Sequence, residues 1–179
     1  MVSVAPTEHR SRLLLGAVAL LQSHRVAALA TLAADGMPFV SMVPFALEPE
    51  QGGLVLHVSA LAQHSANMVR EPRVSLLVMQ PEQPAQPVHA LPRLTLLGQA
   101  CWIEPGSDSW AGCRAAYLAR FPDAEPMTQL GDFRFVAIRP EGARQIAGFG
   151  AARSLEGEEL RQVIALAAEP IALEARGQP

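Results

Sequence analysis

The residues that offer the most chemistry per position lie in Ser59-Ala60-Leu61-Ala62-Gln63-His64-Ser65-Ala66-Asn67, between a strand-like run and the start of a helix. Two hydroxyls, an imidazole and an amide fall where the first N–H groups of a helix lack intrahelical partners. That combination suits an anion such as a phosphate monoester. The simpler account is local: Ser59 or Ser65 caps the helix and His64 is a solvated surface residue. Arg93, at the head of a later strand, supplies either a fixed positive charge of bidentate geometry or one half of a structural ion pair.

Other chemistries find little support. All 14 basic residues are arginine, which excludes Schiff-base and P-loop lysines. Gly148-x-Gly150 follows a strand and precedes a helix, but Arg153 stands where a dinucleotide fingerprint needs its third glycine. No G-x-S-x-G elbow and no evident carboxylate pair occur. Cys101 and Cys113 are twelve residues apart, and the histidines at 9, 24, 57, 64 and 89 have no ligand spacing, so no metal site is expected and both thiols read as reduced and structural. No catalytic side chain stands out.

The elements that must hold these residues follow from periodicity and turn signals. Residues 8–23 read as an amphipathic helix with Thr7 as N-cap, using Leu14, Val18 and Leu21 as its apolar face. Arg25 to Leu32 and Phe39 to Leu47 read as a hairpin about Asp35-Gly36, with Leu54 to Ser59 completing an antiparallel meander. A helix is expected over Leu61 to Arg70 and a strand over Arg73 to Met79. Prolines at 81, 84, 87 and 92 make 80–92 a loop. Arg93 to Ile103 reads as a long strand and 107–120 as a helix. Phe133 to Arg139 and Ala143 to Ala147 read as two strands, Glu156 to Ala168 as a helix capped by Ser154, and the end from Pro170 as frayed. Six or seven strands against three or four helices give an α+β, mainly β, domain built on a barrel.

Composition bounds the class. With 179 residues, 50% hydrophobic and 17% charged, the chain buries a continuous core and is expected to be one domain, 1–179, with its core over about 10–165. Scattered arginines and a net charge of −3 leave no basic stripe for nucleic acid. Arg10 and Arg12 before the apolar run Leu13 to Leu21 resemble a signal sequence. Glu8 in the would-be basic region, His24-Arg25 after the run and the strand over 26–32 argue against that, so a cytoplasmic protein without membrane association is expected.

The ordered series Gly36-x-Pro38-x-x-Ser41-x-Val43-Pro44, Leu56-x-x-Ser59-x-Leu61-Ala62-x-His64-Ser65-x-Asn67, Glu71-Pro72-Arg73-x-Ser75-Leu76 and Arg93-Leu94-Thr95-x-x-Gly98 resembles the pyridoxamine 5′-phosphate oxidase-like FMN-binding split barrels. Tyr117-Leu118, Phe121-Pro122-x-Ala124, Asp132-Phe133 and Gly148-Phe149-Gly150-x-Ala152 bring it nearest to the haem-utilisation branch. The resemblance implies a six-stranded split barrel with flanking helices. It implies a homodimer with FMN in clefts at the subunit interface, and an FMN-dependent oxidoreductase acting on a small-molecule substrate.

Carried over residue by residue, Ser41, Met42 and Val43 would line the flavin ring, Ser59, His64, Ser65 and Asn67 would surround its phosphate, and Arg93 would reach the flavin or the phosphate. Ser41 and His64-Ser65 replace cations of the true oxidases, which would weaken FMN binding, and no counterpart of their pyridoxamine phosphate-holding arginine and histidine follows Gly150. The alternatives are a haem-binding or haem-degrading protein, with His57, His64 and His89 as candidate ligands, and a non-catalytic flavin-binding module.

Overall fold

The computed structural model describes residues 6–50, 53–84 and 86–169. The frayed end expected from Pro170 lies outside them. Eight strands form one antiparallel sheet: β1 (Val26–Leu32), β2 (Pro38–Pro44), β3 (Ala46–Glu48), β4 (Gly53–Ser59), β5 (Arg73–Met79), β6 (Arg93–Trp102), β7 (Phe133–Ile146) and β8 (Ala152–Leu155). Among the described residues four α-helices flank them: α1 (Pro6–Ser23), α2 (Gln63–Arg70), α3 (Asp108–Arg120) and α4 (Gly157–Ala168). The strand order is β2-β1-β5-β6-β7-β4-β3, with β8 added on β7.

The two ends of that order, β2 and β3, are neighbours in the chain. The strand expected over Phe39 to Leu47 breaks at the buried Phe45, its first part pairing with β1 and its last three residues with β4. One bent segment thus joins both edges of the curled sheet, leaving fewer unpaired edge groups. The first strands are antiparallel neighbours as expected, β1 with β2 and β3 with β4, but the break at Phe45 separates the two pairs and β4 pairs on its other side with β7.

Interior positions alternate along each strand as the pleat requires. Leu29, Leu54, Leu56, Leu76, Leu94, Leu96 and Ile138 fill the barrel. On β4 and β7 the other face is also covered: Val55 and Phe135 meet Cys113 and Tyr117 of α3 in a second cluster. Cys101 and Cys113 are free thiols, and burial pushes Cys113 up to about 11, with Glu48 adding to the shift.

Several local expectations are corrected. Two short strands raise the expected six to eight. The two strands expected over 133–147 are one, β7, whose register against β6 shifts at Leu97/Gly98 so that Glu141 has no partner there. β8 carries Ser154, so that residue does not cap α4; the N-cap is Glu156, without a side-chain bond. Thr7 lies inside α1, not at its cap. The proline-rich loop contains a short 3₁₀ turn over Val88–Ala90.

Arg120 ties α3 to α1. Its guanidinium donates to the carbonyls of Leu21, Gln22 and His24, the unpaired end of α1, and stands 4.9 Å above the Phe45 ring. Arg120→Ala should lower stability by about 2 kcal/mol, because the carbonyls lose a charged donor and Phe45 loses its cover. A shift in the urea midpoint with an unchanged slope would show it; an unmoved midpoint would mean water replaces the guanidinium without loss.

Candidate functional site

The segment that links β4 to α2 is held by its own hydroxyls. Ser59 sits at the end of β4, and its Oγ donates to Asp132 Oδ2 at 2.9 Å while accepting from the Leu61 N–H at 3.2 Å. Ser65 Oγ donates to the Ser59 carbonyl at 2.7 Å. Neither serine caps α2. Its N-cap is Ala62, in extended conformation, with no side-chain bond to the first turn.

His64 lies in that first turn and meets β2, with its Nδ1 3.0 Å from Ser41 Oγ. Its Nε2 is buried and has no partner among the described residues. Burial lowers the imidazole pKa, so the ring is held neutral near pH 7. A buried polar nitrogen left unpaired costs about 1–3 kcal/mol, which makes this atom a place to look for a ligand.

Asn67, one turn on, is fully buried. Its Nδ2 donates to Thr31 Oγ1 on β1, and its Oδ1 accepts from Gln63 Nε2, both at 2.9 Å. Its amide therefore fastens α2 to the end of the barrel.

The remaining candidates fall elsewhere. Strand alternation turns Ser41 and Val43 inward and Met42 outward, so Val43 is a core residue and can offer a ring only its backbone. Met42 heads a row across four strands, Met42-Ala28-Leu77-Thr95, beside a second row, Val40-Ala30-Ser75-Leu97. Arg93 lies on this same outward face opposite Met79, three strands across from β2, and donates to the Leu91 carbonyl at 3.0 Å. At the usual strand spacing that is about 14 Å from β2, so one chain does not bring Arg93 to the Ser41–His64 pair.

The structure thus joins Ser41, Ser59, His64 and Ser65 around the entry to α2. It puts Met42 and Arg93 on the outward sheet face, and Val43 and Asn67 inside. Cavities of about 710, 750 and 660 Å³ lie elsewhere, and none is lined by any of these eight residues.

The other histidines separate clearly. His57 on β4 is buried against Phe135, Phe133 and Tyr117, with ring centroids 4.5, 5.0 and 5.5 Å away, and burial lowers it to about 4. It is a packed core residue. His89 is exposed in the proline-rich loop. No group of three metal-ligating side chains occurs among the described residues.

Asp132 is the residue that sequence reasoning left without a role. It lies 73 positions from Ser59 and reaches it only because β4 pairs with β7. Its presence bears on FMN. A phosphate close to a dianion would meet a carboxylate, two hydroxyls already bonded to this chain and a buried amide. Arg134, the cation nearest in sequence, donates to the Gly131 and Phe133 carbonyls. Within one chain these residues do not fit the phosphate of FMN.

Comparison with known proteins places this arrangement. The family model described as pyridoxamine 5′-phosphate oxidase matches residues 16–147. Haem oxygenase HutZ of Vibrio cholerae is 33% identical over 140 residues, covering 78% of each chain. The chloroplast haem oxygenase HOZ of Arabidopsis thaliana is 34% identical over 124 residues, 69% of this chain and 36% of that one. A haem-binding protein from Mycobacterium smegmatis superposes with TM-score 0.74 at 30% identity over 90% of this chain, which spans 62% of that protein's length. The split-barrel fold is shared with these structures, and no described helix is long and apolar enough to cross a membrane. With residues 16–147 matched by that family model and a third of the aligned residues identical over 78% of the chain, the chain belongs to the pyridoxamine 5′-phosphate oxidase family.

Proposed function

We propose that this protein binds haem, in a cleft completed by a second copy of the chain, and serves haem binding or degradation in the cytoplasm. The observation that carries the reading is His64: its Nδ1 is pinned by Ser41, its Nε2 is buried without a partner among the described residues, and burial favours the uncharged ring. This is the state an imidazole needs to ligate a metal, and among the three candidate histidines only His64 offers it without dismantling a packed aromatic cluster or standing in open solvent. Bound haem would supply an iron centre able to activate dioxygen.

The chain's own residues do the rest. Ser41 fixes the ring orientation through its contact with Nδ1, and in the tautomer with the proton on Nδ1 the lone pair is left on Nε2. The outward rows through Met42 and Leu97, with Val26, Val40 and Met79 also exposed, form an apolar sheet face that a second copy would cover, excluding water from the cleft.

Haem titration followed by absorption tests this. A Soret band that saturates with added haem is expected, and His64→Ala should shift it and weaken binding by at least about tenfold. An unchanged band in that variant removes His64 as ligand; no spectral change in the wild type sinks the haem reading. Sedimentation of the wild type and of Met42→Glu, expected as dimer and monomer, checks the second copy.

FMN in the same cleft is the second reading. In its favour, the first turn of α2 has no side-chain cap, which leaves N–H groups for an anion. Flavin bands retained through gel filtration after loading would support it.

A further inference from the structure

We propose that Asp132 is a specificity-determining residue that sets this site against phosphate-bearing ligands, so that the chain tolerates a flavin without phosphate at least as well as FMN. The inference rests on the geometry at the entry to α2 and is independent of whether haem binds.

The first turn of α2 and the loop before it form the one place among the sequence candidates suited to an anion, since the helix starts uncapped and its N–H groups carry partial positive charge. That place already has an anion belonging to the chain. The Asp132 carboxylate is bound to Ser59 Oγ at 2.9 Å, and Ser59 Oγ in turn accepts from the Leu61 N–H in the loop that enters the helix. A backbone bond from the Ala60 N–H to the Asp132 carbonyl, 2.7 Å, holds the two segments together. Among the described residues no arginine forms an ion pair with the carboxylate, and the guanidinium of Arg134 is hydrogen-bonded to the carbonyls to either side of it, not to the carboxylate oxygens.

A phosphate entering here would have to displace Asp132 from Ser59 or sit beside it as a like charge. Either route costs free energy that a neutral ribityl chain does not incur. The hydroxyls follow the same logic: Ser59 donates to the carboxylate and Ser65 to a carbonyl, so neither proton is free for a phosphate oxygen without breaking a bond already made.

The test compares riboflavin with FMN on the intact protein, by quenching of flavin fluorescence. Wild type should bind FMN no more tightly than riboflavin. Asp132→Asn keeps an acceptor for the Ser59 hydroxyl and removes the charge; it should raise FMN affinity by about tenfold or more while leaving riboflavin unchanged. Added salt should strengthen FMN binding to wild type, because screening weakens like-charge repulsion, and should not do so for Asp132→Asn. A merely structural aspartate would not produce that salt dependence.

If Asp132→Asn does not fold, Asp132→Ser makes the same comparison. A wild-type preference for FMN of tenfold or more would overturn the proposal. So would a neutral variant that gains nothing for FMN, including one that binds neither flavin, since removing the charge would then have opened nothing. Haem titration of the same variants is read separately.

Discussion

Gly98→Ala should lower the stability of the fold by about 3–4 kcal/mol, at the upper end of what overpacking a core does. A Cβ at residue 98 would stand 2.3 Å from the Arg139 carbonyl oxygen and 3.0 Å from Pro140 Cα, and both neighbours are backbone. No rotamer change relieves such a contact. Gly98 faces Val74 on one side and Pro140 on the other, in the middle of the sheet, at the register shift that leaves Glu141 unpaired on β7. Its absent side chain lets β6 and β7 approach where the bulge bends them together.

Gly112→Ala is the control. It lies within α3, nothing comes within 4 Å of its would-be Cβ, and the substitution should stabilise by up to about 1 kcal/mol. Denaturant midpoints compare the two. A Gly98→Ala protein within about 1 kcal/mol of wild type would show that the two strands can separate at the bulge without loss.

Lowering the pH from 7 to 4 should weaken the folded state by about 3 kcal/mol through His57 alone. Burial lowers its pKa from 6.5 to about 4, and its Nδ1 has no hydrogen-bond partner among the described residues. Above pH 6.5 the ring is neutral whether the chain is folded or not, so the stability it permits is fully present. Below that value the unfolded chain takes up a proton that the folded one refuses, and stability falls by about 1.4 kcal/mol per pH unit until the folded ring titrates near pH 4.

Urea unfolding at several pH values, with wild type and His57→Phe, measures this. The variant should lose most of the slope. Burial moves His64 the same way, so a smaller slope should persist. An identical slope in both proteins would place the acid sensitivity outside His57.

Both effects concern residues whose roles are readable to different depths in the chain. Gly98 ends the pattern that begins at Arg93, and its place on the apolar face of an alternating strand is visible locally. The carbonyl pressed against it belongs to a strand 41 residues away and is supplied by the pairing of β6 with β7. His57 falls inside the strand expected over Leu54 to Ser59, and in the structure it is packed there. The aromatic rings that surround it come from α3 and β7, which local periodicity does not locate.

Local pattern made legible most of the helices and strands, the hairpin about Asp35-Gly36, the family and the segment from Ser59 to Asn67 as the place where polar groups gather, but not the strand β8 or the continuity of β7. Those properties depend on neighbours within a few residues: alternation, turn chemistry and helix starts are short-range. Long-range pairing is what turns Ser41 toward His64 and Met42 to the outward face, spends Asn67 on Thr31, and brings Ser59 to Asp132. A hydroxyl or amide is free for a ligand only if no part of the chain has already bonded it. Which part reaches it is set by sheet register across the barrel, a long-range property that no single segment contains.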